Sequence, residues 1–141
     1  MKLFVDNNVV LDVLARRAPW FEDSARLLAF IESGSATGHI AAHTLTTLHY
    51  LLERHVGQKK TAPILVDLTS LFHVEPVNHE IIQQALSLAW DDFEDAVQAV
   101  VAAHCQADYL ITRNSRDFTN SLVPVITPAE FLAINRKGIT E

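Results

Sequence analysis

Cysteine is nearly absent from the sequence: Cys105 is the single cysteine among 141 residues. One thiol cannot form an intramolecular disulfide, which excludes a small secreted domain held together by disulfides. We therefore expect a cytoplasmic protein, stabilised by its apolar core in a reducing compartment. Cys105 lies in an apolar stretch and is interpreted as a small core residue.

Long hydrophobic runs are also missing, and none approaches the roughly 20 residues that a transmembrane helix needs. The first residues, MKLFVDNN, place an acid too early for the apolar region of a signal peptide. We expect no membrane association. Apolar residues nevertheless make up 49% of the chain and charged residues only 20%. That balance leaves apolar surface for a partner, so we expect a homodimer or a bound protein, with the homodimer preferred.

The third absence is an excess of positive charge. Eleven Lys and Arg face seventeen Asp and Glu, a net charge of −6, which argues against a broad basic groove for nucleic acid. It does not exclude a nuclease, because a bound divalent cation reverses the local field of an acidic pocket. Arg113 and Arg116 stand beside Asn114 and Asp117, and they are candidates for phosphate contacts.

Short apolar runs alternate with helical patterns along the chain. Strands are predicted at residues 2–5, 37–42, 73–77, 109–112 and 123–126. Helices are predicted from Pro19 to Gly34, from Thr44 to Gly57, and at 61–71, 78–88 and 93–107, with two further helices after Asn7 and after Thr127. Asn7 and Asn78 are predicted to cap the helices that follow them, and Thr127 and Glu130 have the spacing of a capping box. This alternation predicts one α/β domain over residues 1–141, with a mostly parallel sheet and helices on both faces.

Acidic and amide side chains follow several predicted strands. Asp6 follows the first strand, Asn114 and Asp117 follow the fourth, and Asp95 opens an apolar helix. Ligands of parallel α/β sheets bind beyond the carboxyl ends of the strands, and carboxylates gathered there are suitable ligands for Mg²⁺ or Mn²⁺. The pattern predicts metal-assisted phosphodiester hydrolysis. Each acid taken alone is also compatible with a helix cap or a turn, and Asp92 is interpreted as a helix-start acid.

Three segments occurring together resemble the PIN-domain superfamily: FVDNNVVLDVL, DFEDAVQAVVAA, and DYLITRNSRDF followed by VPVITPAEFL. They are most similar to the small prokaryotic branch that includes the VapC-type toxin ribonucleases. The resemblance covers essentially the whole chain. It implies a three-layer α/β/α sandwich that cleaves single-stranded RNA with Mg²⁺ or Mn²⁺ held by three or four acids. It also implies an antitoxin protein as a partner.

The resemblance assigns roles to individual positions. Asp6 matches the first family acid and Asp95 the acid that opens the buried helix. Asp117 matches the last acid, and Asn114 matches the polar residue of the same loop. These residues are therefore predicted to be catalytic, the three aspartates as metal ligands and Asn114 as a contact to substrate.

Thr47 stands where the family has its second acid. A hydroxyl adds no charge, so we expect weaker metal binding unless Glu94 or Asp92 contributes from a neighbouring segment. Thr47 is predicted to bind substrate, and Glu94 is predicted to be a further metal ligand. Glu53 is a poor substitute, because six residues after Thr47 it lies well round the helix.

Two other functions stay open. The first is a catalytically weak or inactive PIN-like domain that binds RNA or a protein, which Thr47 and the negative net charge favour. The second is a phosphotransferase with Asp6 as nucleophile, although the second aspartate expected two residues later is Asn8.

Seven histidines raise the alternative of a transition-metal site. His39 and His43 fall around a strand-to-helix junction, and His49 and Glu53 have the i,i+4 spacing of a helix face. No third ligand is evident beside either pair, so surface or packing roles are predicted for these histidines. Trp20 and Trp90 are predicted to pack in the core or at an interface.

Overall fold

The computed structural model describes residues 1–135, and the last six residues of the predicted domain lie outside this range. Within it, five strands form a sheet in the order β3-β2-β1-β4-β5, and every neighbouring pair is parallel. The strands are β1 (Lys2–Val5), β2 (Thr37–Ala41), β3 (Phe72–Glu75), β4 (Tyr109–Ile111) and β5 (Val125–Ile126). The carboxyl ends of all five strands consequently meet at one edge of the sheet.

Helices cover both faces of this sheet. They are α1 (Asn7–Leu14), α2 (Phe21–Glu32), α3 (Ala42–Val56), α4 (Gln58–Leu71), α5 (His79–Ser87), α6 (Phe93–His104) and α7 (Pro128–Ile134). One core joins the sheet to α1, α2, α3, α4 and α7, and a second core joins it to α5 and α6. The predicted three-layer α/β/α sandwich with a parallel central sheet is confirmed.

The central strand β1 shows how the two cores share the sheet. Leu3 and Val5 belong to the first core and Phe4 to the second, because successive side chains of a strand point to opposite faces. All three are fully buried. The three covered residues of β1 are all apolar, as expected for a parallel sheet, and the exposed Lys2 begins the strand.

Capping residues set several helix boundaries. The Asn78 side chain accepts a hydrogen bond from Ile81 N at 3.0 Å, which confirms it as the N-cap of α5. Thr127 and Glu130 form the predicted capping box of α7. The N-cap of α1 is Asp6, so the prediction that Asn7 caps this helix was wrong: Asn7 is its first residue.

Other element ends differ from the predictions by a few residues. Helix α4 begins at Gln58, three residues before the predicted start, and helix α6 ends at His104, three residues before the predicted end. Cys105 is therefore a half-buried C-cap residue rather than a residue within an apolar helix. Local apolar patterns leave helix ends poorly defined, because the last turn lacks some of its backbone hydrogen bonds in any case. No helix within residues 1–135 is both long and apolar enough to cross a membrane.

Candidate active site

Asp6 links the central strand to the first helix. Its backbone N–H donates to Ile111 O at 2.9 Å, which continues the pairing of β1 with β4. Its side chain then caps α1 through a long contact with Asn8 N, at 3.5 Å. The carboxylate is only 2% exposed. The carboxyl edge of the sheet therefore holds a buried acid at its centre.

Two hydrogen bonds fix the orientation of the Asp6 carboxylate. Gln98 Nε2 donates to Asp6 Oδ1 and Thr112 Oγ1 donates to Asp6 Oδ2, each at 2.9 Å. Gln98 Oε1 also accepts from Asn7 N at 3.1 Å. Burial raises the pKa of Asp6, and the hydrogen bonds from Gln98 and Thr112 offset part of that effect. Neither residue was predicted as part of the site, although a lone polar residue within the apolar helix α6 is a signal that could have identified Gln98.

Asp95 lies in the first turn of α6 and is surrounded by other carboxylates. Burial, followed by the charges of Asp6, Asp92, Asp117 and Glu94, raises the pKa of Asp95 to about 7. The Asp92 side chain caps the same helix by accepting from Asp95 N at 3.1 Å, which confirms its interpretation as a helix-start acid. Four carboxylates, from three separate segments, thus act electrostatically on Asp95.

Glu94 is joined to the same group through Asn7. The Asn7 side-chain amide donates to Glu94 Oε1. Burial raises the pKa of Glu94, and the charges of Asp92 and Asp6 raise it further. Asn7 thereby connects the start of α1 with the start of α6.

The loop after β4 contributes Asn114 and Asp117. Asn114 precedes a 3₁₀ turn at Ser115–Phe118, and its Nδ2 donates to Asp117 Oδ2 in that turn at 2.9 Å. Asn114 N also donates to Thr112 Oγ1 at 3.3 Å. One threonine hydroxyl therefore connects the buried Asp6 to the exposed loop that carries Asp117.

An open cavity of about 410 Å³ lies beside this cluster of acids, and Asp6 and Glu94 are not among its lining residues. Its lining includes Asp91, Asp92, Asp95, Asp117 and one basic residue, Arg116. Trp90 also lines it and packs edge-on against Phe118, with ring centroids 6.0 Å apart. A cavity with this lining suits a cation, and Arg116 is the basic side chain placed to meet an anion there.

Arg113 has a different environment from Arg116. Its Nη1 lies 3.1 Å from Asp12 Oδ1, and its guanidinium stacks 3.9 Å from the centroid of the Trp20 ring. Asp12 is fully buried, and burial raises its pKa while Arg113 and Arg17 lower it. Arg113 does not line the acidic cavity. The positive charge of Arg113 is paired with the buried Asp12. The predicted phosphate contact did not take this ion pair into account.

Thr47 lies on α3 and is half-buried. It does not line the acidic cavity, and the acids that raise the pKa of Asp95 all lie outside α3. Of these acids, Asp92 and Glu94 flank the start of α6. Asp92 and Glu94 therefore remain the predicted substitutes for the second family acid.

The donor set of this site fits a hard divalent cation. Asp6, Glu94, Asp95 and Asp117 offer carboxylate oxygens, which Mg²⁺ and Mn²⁺ prefer. Burial raises the pKa of Asp95 most, repulsion from the neighbouring acids raises it further, and a bound cation would relieve that repulsion. Among the described residues, His39, Glu75 and Cys105 are the one group of three ligand atoms within 4.8 Å of one another, so no three of these carboxylates lie that close together in the absence of metal.

Together these features define a parallel α/β protein with an acidic site at the carboxyl edge of its sheet. The family model described as PIN domain matches residues 2–116. The chain belongs to the PIN-domain family, as the sequence motifs predicted.

The similarity of this chain to known proteins covers nearly its whole length. The chain is 24% identical over 135 residues to ribonuclease VapC1 of Aquifex aeolicus (strain VF5), covering 92% of each protein. Its fold is similar to VapBC-1 from nontypeable Haemophilus influenzae, with a TM-score of 0.71 and 16% identity over 92% of this chain and 99% of that one. A toxin–antitoxin complex from Klebsiella pneumoniae gives a TM-score of 0.67 at 22% identity, over 91% and 98%.

Proposed function

We propose that this protein is a divalent-metal-dependent endoribonuclease that cleaves single-stranded RNA. The observation that carries the proposal is the environment of Asp6 and Asp95. Asp6 is buried and held through both of its oxygens, while the pKa of Asp95 is raised to about 7 by burial and the surrounding carboxylates. Such a cluster lowers the stability of the metal-free fold, and a function explains why it is present.

The metal would be held by Asp6, Asp95 and Asp117, with Glu94 as a further ligand. When bound, Mg²⁺ or Mn²⁺ supplies charge neutralisation at the phosphate and makes a water molecule acidic enough to serve as nucleophile. Gln98 and Thr112 orient the Asp6 carboxylate. The Asn114 amide orients Asp117.

Substrate contacts are assigned by position around the acidic cavity. Arg116 lines it and would pair with a phosphate of the RNA. Asn114 does not line the cavity itself, but it is exposed and bonded to Asp117, which does, and its amide is assigned to a phosphate oxygen on that basis. Thr47 and Arg113 have weaker structural support as substrate contacts, since neither of them lines this cavity.

Cleavage assays with defined metals test this proposal. We would incubate the protein with single-stranded RNA, the matching duplex and single-stranded DNA, in Mn²⁺, Mg²⁺ or excess chelator. We expect metal-dependent cleavage of the single-stranded RNA and a loss of at least about 100-fold in Asp6→Asn, because removal of a metal ligand removes the main source of catalysis. Asp67→Asn, an exposed acid on α4, is the matched control.

A catalytically weak or inactive binding module is the second candidate, favoured by Thr47 in the place of an acid. Titration of Thr47→Glu with Mn²⁺ tests this reading of Thr47. If Thr47 faces the metal, this substitution should tighten Mn²⁺ binding about tenfold, a gain of about 1.4 kcal/mol. Thr46→Glu is the control, because Thr46 is exposed and its side chain points about 100° away from that of Thr47 round α3. The module is favoured if the wild-type protein binds RNA but shows neither cleavage nor metal uptake.

We further propose an antitoxin as the protein partner, because several similar solved structures are toxin–antitoxin complexes. Expression of the chain alone should then arrest growth, and co-expression of the protein encoded beside it should restore growth. Asp6→Asn should abolish the arrest while still copurifying with the partner. Copurification without any growth arrest by the wild-type chain would indicate a binding module instead.

A further inference from the structure

The structure brings a histidine, a glutamate and a cysteine together at a second place. His39 lies on β2, Glu75 ends β3, and Cys105 is the C-cap of α6. Their ligand atoms all lie within 4.8 Å of one another. We propose that His39, Glu75 and Cys105 form a zinc site that is separate from the acidic site.

The register of the sheet explains why the first two residues meet. His39 pairs with His73 across β2 and β3, and Ala41 pairs with Glu75. His39, Ala41, His73 and Glu75 therefore point to the same face, since side chains alternate along a strand. Ala41 packs in the core beneath α5 and α6, so this is the face covered by α6, and Cys105 reaches the pair from the end of that helix.

The donor types select zinc rather than the ions expected at the acidic site. Zinc accepts imidazole nitrogen, thiolate sulfur and carboxylate oxygen in one tetrahedral site. Magnesium and calcium require oxygen ligands and would not use Cys105. The fourth position can be filled by water, or by His73, whose ring stacks on His39 with centroids 4.9 Å apart.

Hydrogen bonds around His39 prepare one ring nitrogen as a ligand. Thr37 Oγ1 donates to Met1 O at 3.3 Å and lies 3.0 Å from His39 Nε2. With zinc on the lone pair of Nδ1, Nε2 would carry the ring proton and donate it to the threonine oxygen. His39 Nδ1 lies 2.7 Å from Glu75 Oε1, a direct contact between two ligand atoms that a zinc ion would replace. A partner on the other ring nitrogen is the usual feature of a metal-bound histidine.

The site is shielded yet reachable. His39 is only 5% exposed, while the Glu75 side chain is 23% exposed and Cys105 is half-buried. The thiol donates a weak hydrogen bond to Ala102 O at 3.4 Å, which a metal ion would replace. On binding, the Cys105 thiol releases its proton to solvent as the zinc–sulfur bond forms, with no change in oxidation state.

This site and the acidic site lie at opposite ends of α6. Asp95 and Cys105 are ten residues apart, which corresponds to about 15 Å along a helix. Zinc at Cys105 would fasten the C-terminal end of α6 to β2 and β3. We infer a structural role that holds this helix in place, independent of any cleavage of RNA.

Cobalt substitution tests the zinc site directly. The full-length chain, expressed without a histidine tag and kept reduced, would be stripped of metal and titrated with Co²⁺ and then Zn²⁺. We expect one Co²⁺ per chain with tetrahedral visible bands and a thiolate-to-cobalt charge-transfer band, and displacement of both by Zn²⁺. X-ray absorption of the zinc form should show one sulfur at about 2.3 Å.

Variants assign these signals to residues. Cys105→Ala should abolish the charge-transfer band, and His39→Gln or Glu75→Gln should weaken Co²⁺ binding at least tenfold. His49→Gln is the matched control, because His49 and Glu53 form an exposed pair 3.7 Å apart on α3. Asp6→Asn should leave the band unchanged, which separates this site from the acidic one.

Three results would overturn the zinc site. The first is a wild-type chain without a thiolate band and without sulfur in the zinc absorption spectrum. The second is a band that persists in Cys105→Ala, and the third is zinc uptake that disappears in Asp6→Asn alone. The wild-type spectra need no variant, so the test holds even where a substitution prevents folding.

Discussion

Burial of the Asp6 carboxylate costs free energy, and the hydrogen bonds that offset this cost also fix its orientation. Burying a carboxylate is unfavourable unless its oxygens are hydrogen-bonded. Gln98 and Thr112 each supply one such bond, from α6 and from the end of β4. The two donors therefore make the buried acid tolerable and also hold its oxygens in one orientation.

The hydroxyl of Thr112 can be tested by a matched pair of substitutions. Thr112→Val keeps the shape but removes the donor to Asp6, whereas Thr112→Ser keeps the donor. Loss of a residue that orients a metal ligand typically lowers metal affinity or activity by about 10- to 100-fold. We expect that loss in Thr112→Val, measured by Mn²⁺ titration and by cleavage rate. Equal behaviour of the two variants would show that the hydroxyl does not orient Asp6.

Asp95 makes the metal-free protein less stable as the pH rises. Its pKa is about 7 in the folded protein against an ordinary value of 3.8. The folded state therefore binds the proton more tightly, and the stability gained from protonated Asp95 is present at low pH and lost as the pH rises through about 7. Asp6 and Glu94, whose pKa values are also raised, act in the same direction.

Removing this charge should raise stability in the absence of metal. In chelator at pH 8, we expect Asp95→Asn to increase the free energy of unfolding by at least about 1 kcal/mol, since one pKa unit corresponds to about 1.4 kcal/mol. The gain should shrink toward pH 4, and saturating Mg²⁺ should stabilise the wild type more than the variant. Urea unfolding measures both effects, with Asp67→Asn as the control. A variant less stable than wild type at pH 8 would contradict the assignment.

At the scale of elements, β2 depends on close contact with its neighbours. A Cβ at Gly38 would lie 2.7 Å from Phe72 Cδ1 and 3.0 Å from Ile31 Cγ2. Both are side chains of the core between the sheet and α2. The absence of a side chain at Gly38 lets Phe72 pack over the strand, so this glycine serves packing.

We expect Gly38→Ala to lower the free energy of unfolding by about 1–3 kcal/mol, the usual cost of overpacking a core. Adding Phe72→Leu should recover part of that loss, because leucine lacks the ring atoms that would clash with the new methyl group. Chemical unfolding of both single variants and the double variant measures the coupling. Strictly additive losses would show that Phe72 is not the side chain that meets the added methyl group.

At the scale of the whole molecule, apolar surface remains uncovered. Several large apolar side chains are well exposed, among them Tyr50, Val66, Leu86 and Leu122, each by more than 60%. They lie on different elements, so no single surface is assigned to an interface. The predicted homodimer remains a prediction drawn from composition and family resemblance.

Sedimentation analysis of the purified chain tests this prediction. We expect a dimer at micromolar concentration, with dissociation on dilution, because apolar surface drives association of identical subunits. The mass should be unchanged in Asp6→Asn, whose substitution lies in a buried site. A monomer at all concentrations would contradict the homodimer, and a monomer that binds an antitoxin would assign the apolar surface to that partner.

Much of this fold was determined by local features of the sequence. Alternation of apolar strands with helices predicts the parallel sheet and its two helical layers, and the caps at Asn78 and Thr127 act within four residues. The order of Asp6, Asp95 and Asp117 likewise follows from motifs that each occupy one short segment. Such features can be predicted because hydrophobic periodicity and capping depend on neighbouring residues alone.

Only the tertiary structure decided which distant polar groups meet. Gln98 and Thr112 reach Asp6 from 92 and 106 residues away, and Arg113 pairs with Asp12 across 101 residues. The two groups that meet His39 are likewise distant in the sequence. The register of β2 and β3 places Glu75 beside it, and the end of α6 places Cys105 there. These contacts depend on how the layers pack and where each helix ends, and neither of these is encoded in any single stretch of the chain.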